Sequence, residues 1–157
     1  DGTPKFLISL MLAKIKLLRQ EKLPFPGGKH WDGIPTYEQS SAMSEARYTY
    51  IFNQRLEDSH YHTNMMSNGW GYASFRTTPK ILRDAGKIDI PVLLLTSGND
   101  ALVDSKGHYK FAYSTPNTEF VIYEGAKHEL YNGTEEILED YYRRIFGFLA
   151  KVTKQNL

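Results

Sequence analysis

The sequence predicts an α/β chain, with a helical, loop-rich first half and parallel strands flanked by helices in the second. Three observations lead there. "IPVLLLTSG" and "TEFVIYEG" are short continuous apolar runs, the pattern of strands covered on both faces in a parallel sheet. Between them, "VDSKGHYKFAYS" has about the length of a crossover helix, so the three segments read as one βαβ unit. Beyond the second run, Leu138, Tyr141, Ile145, Phe148, Leu149 and Val152 fall on one face of a long closing helix.

The elements follow in order along the chain. Thr3 before Pro4 is a helix-start signal, because a Thr hydroxyl caps free N–H groups and Pro tolerates the first helical position. A helix over 4–20 is expected. Its apolar residues Phe6, Leu7, Leu10, Met11, Ile15, Leu17 and Leu18 cover most of the circumference, which predicts a helix buried in the protein rather than one facing lipid or an acyl chain. "LPFPGGKHWDGIPTY" is loop chemistry, a helix resumes over 44–56, and "DSHYHTNMMSNGWGYASF" breaks the periodicity again. A further helix over 74–85 leads into the first strand. Asn132 and Glu135 have capping-box-like spacing before the closing helix, and Glu135 and Glu136 suit its dipole. The chain thus divides into a mainly helical region, residues 1–86, and a region of two strands with flanking helices, residues 87–157.

Composition narrows the function classes. With 157 residues and 41% hydrophobic content, one core is expected. Nineteen Lys and Arg against 18 Asp and Glu give a net charge of +1, which builds no field to gather nucleic acid. The absence of cysteine excludes a disulfide framework, a thiol nucleophile and thiolate metal ligation. The longest nearly apolar run near the start, Phe6 to Ala13, is far below the roughly 20 residues of a spanning helix, and no basic leader precedes it. Since no methionine opens the chain, the sequence is expected to begin inside a longer or processed product.

Polar residues just past the carboxyl ends of parallel strands converge on the ligand crevice. Asp100 follows the first strand, in "SGNDALVD", and His128 follows the second, in "GAKHEL". An Asp that holds a His in one tautomer is the base half of a hydrolytic triad. Asp104 is the rival acid, ranked second because Asp100 is nearer the strand end and Asp104 suits the start of the crossover helix. Glu129 reads as a surface residue of the helix approach. His60 and His62 have H-x-H spacing without a third ligand, so no metal site is expected, and His30 and His108 add none. "NGT" at 132–134 matches a glycosylation acceptor, but a helix cap explains the same residues. Most aromatic and Met side chains of the first half, Met65 among them, read as core.

"GNDALVD" followed 28 residues after Asp100 by the histidine of "GAKHELYN" resembles the carboxyl-terminal half of the α/β-hydrolase superfamily, in its lysophospholipase and monoacylglycerol-lipase branch. "LPFPGGKHW", "SSAMSEARYTYIFNQ" and "NGWGYASF" are similar to the cap of the bacterial lysophospholipases, so the resemblance covers nearly the whole chain. It implies the carboxyl-terminal half of an α/β-hydrolase fold with a helical cap, Asp100 as the orienting acid, His128 as the base, no cofactor and a lipid-ester substrate, with Trp70, after Gly69 in the matching segment, as the candidate for contact with the acyl chain. It implies a location in the cytoplasm or at the inner membrane surface, with membrane-surface contact.

The branch uses a G-x-S-x-G elbow, a sharp turn that exposes the nucleophile, and this sequence has none. Ser40, Ser41, Ser44 and Ser97 lack its glycine frame and read as turn or capping residues. The nucleophile is therefore expected on a missing amino-terminal half or a partner chain, which would also cover the open sheet edge. The alternatives are another chemistry on the same scaffold, as an esterase, acyltransferase or peptidase, and a non-catalytic binding or regulatory module.

Overall fold

A computed structural model describes residues 5–26, 31–62 and 66–154. The expected cap at Thr3 and Pro4, and the residues His30 and Met65, lie outside the described residues.

Three helices come first. Helix α1 spans Lys5–Leu17. Helix α2 spans Glu45–Glu57 and starts where Ser44 accepts a hydrogen bond from the Arg47 N–H at 3.4 Å. Helix α3 spans Asn68–Asp84, beginning well before the position expected near Ser74. Gly69, Gly71 and Pro79 lower its intrinsic propensity, but tertiary bonds decide the start. Ser67 Oγ accepts from Trp70 N at 3.1 Å, while Asn68 N and Gly69 N donate to the carbonyls of Leu23 and Glu21, each at 2.8 Å. Those bonds occupy N–H groups that a helix start leaves without partners.

The second half has the expected βαβ order. Strand β1 spans Val92–Ser97, helix α4 Lys106–Ser114 and strand β2 Thr118–Tyr123. The strands pair in parallel, from Val92 opposite Thr118 to Ser97 opposite Tyr123, so both carboxyl ends reach the same edge. Helix α5 spans Glu135–Lys154. Its cap is Thr134, whose Oγ1 accepts from Ile137 N at 3.4 Å, and not Asn132. Asn132 instead ends a short 3₁₀ turn, Leu130–Asn132, and is itself buried.

Burial departs from the sequence-based expectation in three places. Among the described residues the sheet has two strands, and β1 and β2 are half-buried except at the buried Thr96, Ser97 and Tyr123 and the exposed Glu119, so they are not covered on both faces. Helix α1 is not buried: Ile15 is enclosed, but Phe6, Leu7, Leu10, Leu17 and Leu18 are exposed. Its packing partner is α3, which covers only one side of a helix that is apolar nearly all round. On α5, Ile137 joins the inward face and Leu149 is exposed. A core cluster groups Tyr123, Ala126 and Leu130 with the half-buried Met43, Leu95, Val121, Ile137 and Tyr141. It lies beneath the carboxyl ends of the strands and so supports the loop that carries His128.

Candidate functional site

The site begins with two glycines. Just past β1, a side chain on Gly98 would meet the Glu124 backbone at 2.9 Å, so only glycine lets the two strand ends pass this closely. Just past β2, Gly125 has φ 75°, a left-handed turn that glycine adopts without a Cβ penalty. The turn is then stitched to β1: Gly98 N donates to Tyr123 O at 2.9 Å, Asn99 N donates to Ala126 O at 3.0 Å, and Ser97 Oγ donates to the same Ala126 carbonyl. Asp100 and His128 leave the sheet side by side.

Their side chains meet. His128 Nδ1 donates to Asp100 Oδ2 at 2.7 Å, while Asp100 Oδ1 accepts from Leu102 N at 2.8 Å and Val103 N at 3.1 Å. The Asp100 side chain is 4% exposed and the His128 side chain 40%. Burial alone would raise the Asp100 carboxyl's pKa, but the bond from His128 and the two backbone N–H groups outweigh it, and the group is held below its ordinary value. An ionised Asp100 keeps the imidazole proton on Nδ1, which leaves Nε2 as the basic nitrogen. The arrangement leaves Nε2, the nitrogen turned from Asp100, as the one that can take up a proton, with the carboxylate placed to stabilise the resulting charge.

Asp104 has a different place. Its Oδ1 accepts from Lys106 N at 3.0 Å and its carbonyl from Gly107 N at 3.1 Å, which tops α4. Trp70 stands exposed in the first turn of α3, on a separate element from the pair. His60 bonds Asp58 Oδ1 at 2.8 Å, whereas His62 bonds the Arg55 carbonyl at 2.6 Å and stacks on Trp31 with ring centres 3.8 Å apart. The H-x-H residues thus turn to different partners. His108 lies 2.5 Å from Thr96 Oγ1 between α4 and β1.

The sequence reading missed a second attachment of the His128 loop. Lys127 N donates to Met43 Sδ at 3.3 Å, Lys127 Nζ to Ser40 O at 3.1 Å and Glu129 N to Ser41 O at 3.3 Å. Asn132 O in turn accepts from Met43 N at 2.8 Å and Ser44 N at 3.1 Å. Ala42, at the centre, is fully enclosed. No sequence pattern signals such pairing, since most of it runs through backbone groups that every residue carries. Beside this contact a cavity of about 420 Å³ lies between α2 and the loop, lined by Trp31, Tyr48, Phe52, Arg55, Glu129 and Asn132 among others.

Two adjacent parallel strands thus deliver an Asp and a His to one edge, and the segment 40–44 is folded against the His loop. Solved structures agree on the fold. The chain superposes on a monoacylglycerol lipase from Paleococcus ferrophilus with a TM-score of 0.64, 21% identity and coverage of 95% of this chain and 53% of that one. A soluble variant of monoglyceride lipase from Saccharomyces cerevisiae, in complex with a substrate analogue, gives 0.61, 16%, 91% and 48%. In sequence, a monoglyceride lipase homologue of Monkeypox virus is 36% identical over 78 residues, 48% of this chain and 28% of the viral protein. Residues 12–135 match the Hydrolase_4 family, described as Serine aminopeptidase, S33, and the chain belongs to that family. It spans about half the length of the solved proteins it matches.

Proposed function

We propose that this chain carries the acid and base of a serine carboxylic-ester hydrolase acting on monoacylglycerols or lysophospholipids. The nucleophilic serine stands on polypeptide outside these 157 residues, a preceding segment or a partner chain. The observation that carries this reading is the 2.7 Å bond from His128 Nδ1 to a buried Asp100 at the shared end of two parallel strands.

The chemistry follows from that bond. His128 Nε2 takes the proton of the serine hydroxyl as its oxygen attacks the ester carbonyl, and Asp100 stabilises the imidazolium that forms. His128 then passes the proton to the departing alkoxide, leaving an acyl-enzyme and a free alcohol. Water, deprotonated by the same nitrogen, then attacks the acyl carbonyl; the bond to the serine oxygen breaks, that oxygen takes the proton back from His128, and the fatty acid leaves. No metal enters any step.

Lipid esters are favoured because the two solved structures compared above are named as monoacylglycerol or monoglyceride lipases and the viral protein as a monoglyceride lipase homologue. Trp70 and the aromatic side chains of the first half supply apolar surface for an acyl chain, and the exposed face of α1 supplies it for contact with a membrane surface. Among the described residues no helix is long and apolar enough to cross a bilayer. The family description favours a second reading, peptide hydrolysis by the same acid and base. A fluorophosphonate probe on the complete protein, followed by parallel assays on monoacylglycerol, lysophospholipid and aminoacyl-amide substrates, separates the two. Labelling of one serine with ester turnover is expected. An unlabelled protein refutes both readings, and amide turnover alone selects the second.

A further inference from the structure

Residues 126–132 carry His128 between two anchors, and the outer one has no assigned role. The inner anchor is the Ala126 carbonyl, held by Asn99 N and Ser97 Oγ. Beyond it the chain forms neither helix nor strand until the short turn at Leu130. His128 cannot hold itself in place, because its ring is 40% exposed and its recorded hydrogen bond is the one to Asp100. Its orientation comes from the backbone on either side. Those flanking groups, the N–H of Lys127 and the N–H of Glu129, donate to Met43 Sδ and Ser41 O. The Lys127 ammonium donates to Ser40 O, and the Asn132 carbonyl closes the contact on Met43 and Ser44.

We propose that Met43 and Lys127 are positioning residues: they brace the His128 loop against the segment 40–44 and so hold the imidazole on Asp100. The proposal rests on the reading of His128 as the base. Met43 suits the task because its thioether accepts the Lys127 N–H while its side chain packs on the Tyr123, Ala126 and Leu130 cluster. The brace also ties the base to α2, whose first turn follows Ser44. From that turn Arg47 reaches Glu135 Oε1 at 2.6 Å and the Gly133 carbonyl. A base whose position relative to its proton donor must be held to within a fraction of an ångström gains rate from such an attachment without touching substrate.

The test uses the complete protein. Met43→Leu removes the sulfur acceptor at nearly constant volume, and Lys127→Met removes the ammonium but keeps the stem. Each variant is compared for kcat and KM on a monoacylglycerol, for melting temperature, and for the far-downfield proton resonance of His128 Nδ1–H. The double variant is expected to lose about tenfold or more in kcat with KM within about twofold, and its resonance should broaden or vanish. With Met43 intact, Lys127→Arg should keep both near the parental values, because the guanidinium can still donate to Ser40 O. An intact resonance with parental kcat overturns the proposal. So does a fall in kcat that only tracks loss of folded protein, for which the single Met43→Leu variant is the milder check. The resonance needs no turnover, so a failure of the ester-hydrolase reading, seen as an unlabelled wild-type protein, is distinguishable from a failure of the brace.

Discussion

Asp100 is held ionised by three hydrogen bonds inside a site where burial alone would favour its neutral form. Its folded pKa is depressed, so its contribution to stability is present above the unfolded value of about 3.9 and is lost as pH falls through the lower folded value. Asp100→Asn should therefore cost about 1–2 kcal/mol at neutral pH, and less near pH 3. Urea unfolding at the two pH values reads this difference. Asp104→Asn serves as the contrast: it touches the start of α4 and should leave ester turnover of the complete protein within about twofold of the parent, since it removes no transition-state contact. A large loss there would exchange the two acids. Tyr123, pushed up to about 12 by burial and by its bond to Asp140, should remain protonated when exposed tyrosines ionise. An ultraviolet titration with Tyr123→Phe as reference checks it.

The elements that position the pair were legible because their signals are local. The apolar runs of β1 and β2, the crossover-length segment between them and the periodicity of α5 each depend on residues within one element. Two boundaries were not legible. The early start of α3 is fixed by carbonyls of Glu21 and Leu23, and the cap of α5 is Thr134 because the Asn132 carbonyl and side chain are already engaged, by Met43, Ser44 and Glu129. Bonds made outside the helix overrode the local pattern in both. The cap assignment predicts that Thr134→Ala destabilises the chain by about 1 kcal/mol, measured by thermal or denaturant unfolding. No change would return the cap to Asn132.

Across the whole molecule, the pairing of Asp100 with His128 could be read from strand ends, whereas the exposure of α1 and of the sheet could not. Hydrophobic pattern shows that a face seeks cover, but not which polypeptide covers it. Phe6, Leu17, Tyr113 and Phe146 are each well over half exposed, and among the described residues no large side chain is completely enclosed. Produced alone, the 157-residue chain should bind a hydrophobic dye strongly and associate with rising concentration. A dye-silent monomer would contradict the view that these faces await a partner segment.

The central claim is that His128, set by Asp100, is the base of an ester hydrolase. It is tested most directly by kcat/KM for a monoacylglycerol in the complete protein, parent against His128→Ala. Because the removed side chain is substantially exposed at the sheet edge, folding should be preserved. The account predicts a fall of roughly 10⁴-fold or more with an unchanged unfolding transition, and turnover near the parental level would contradict it.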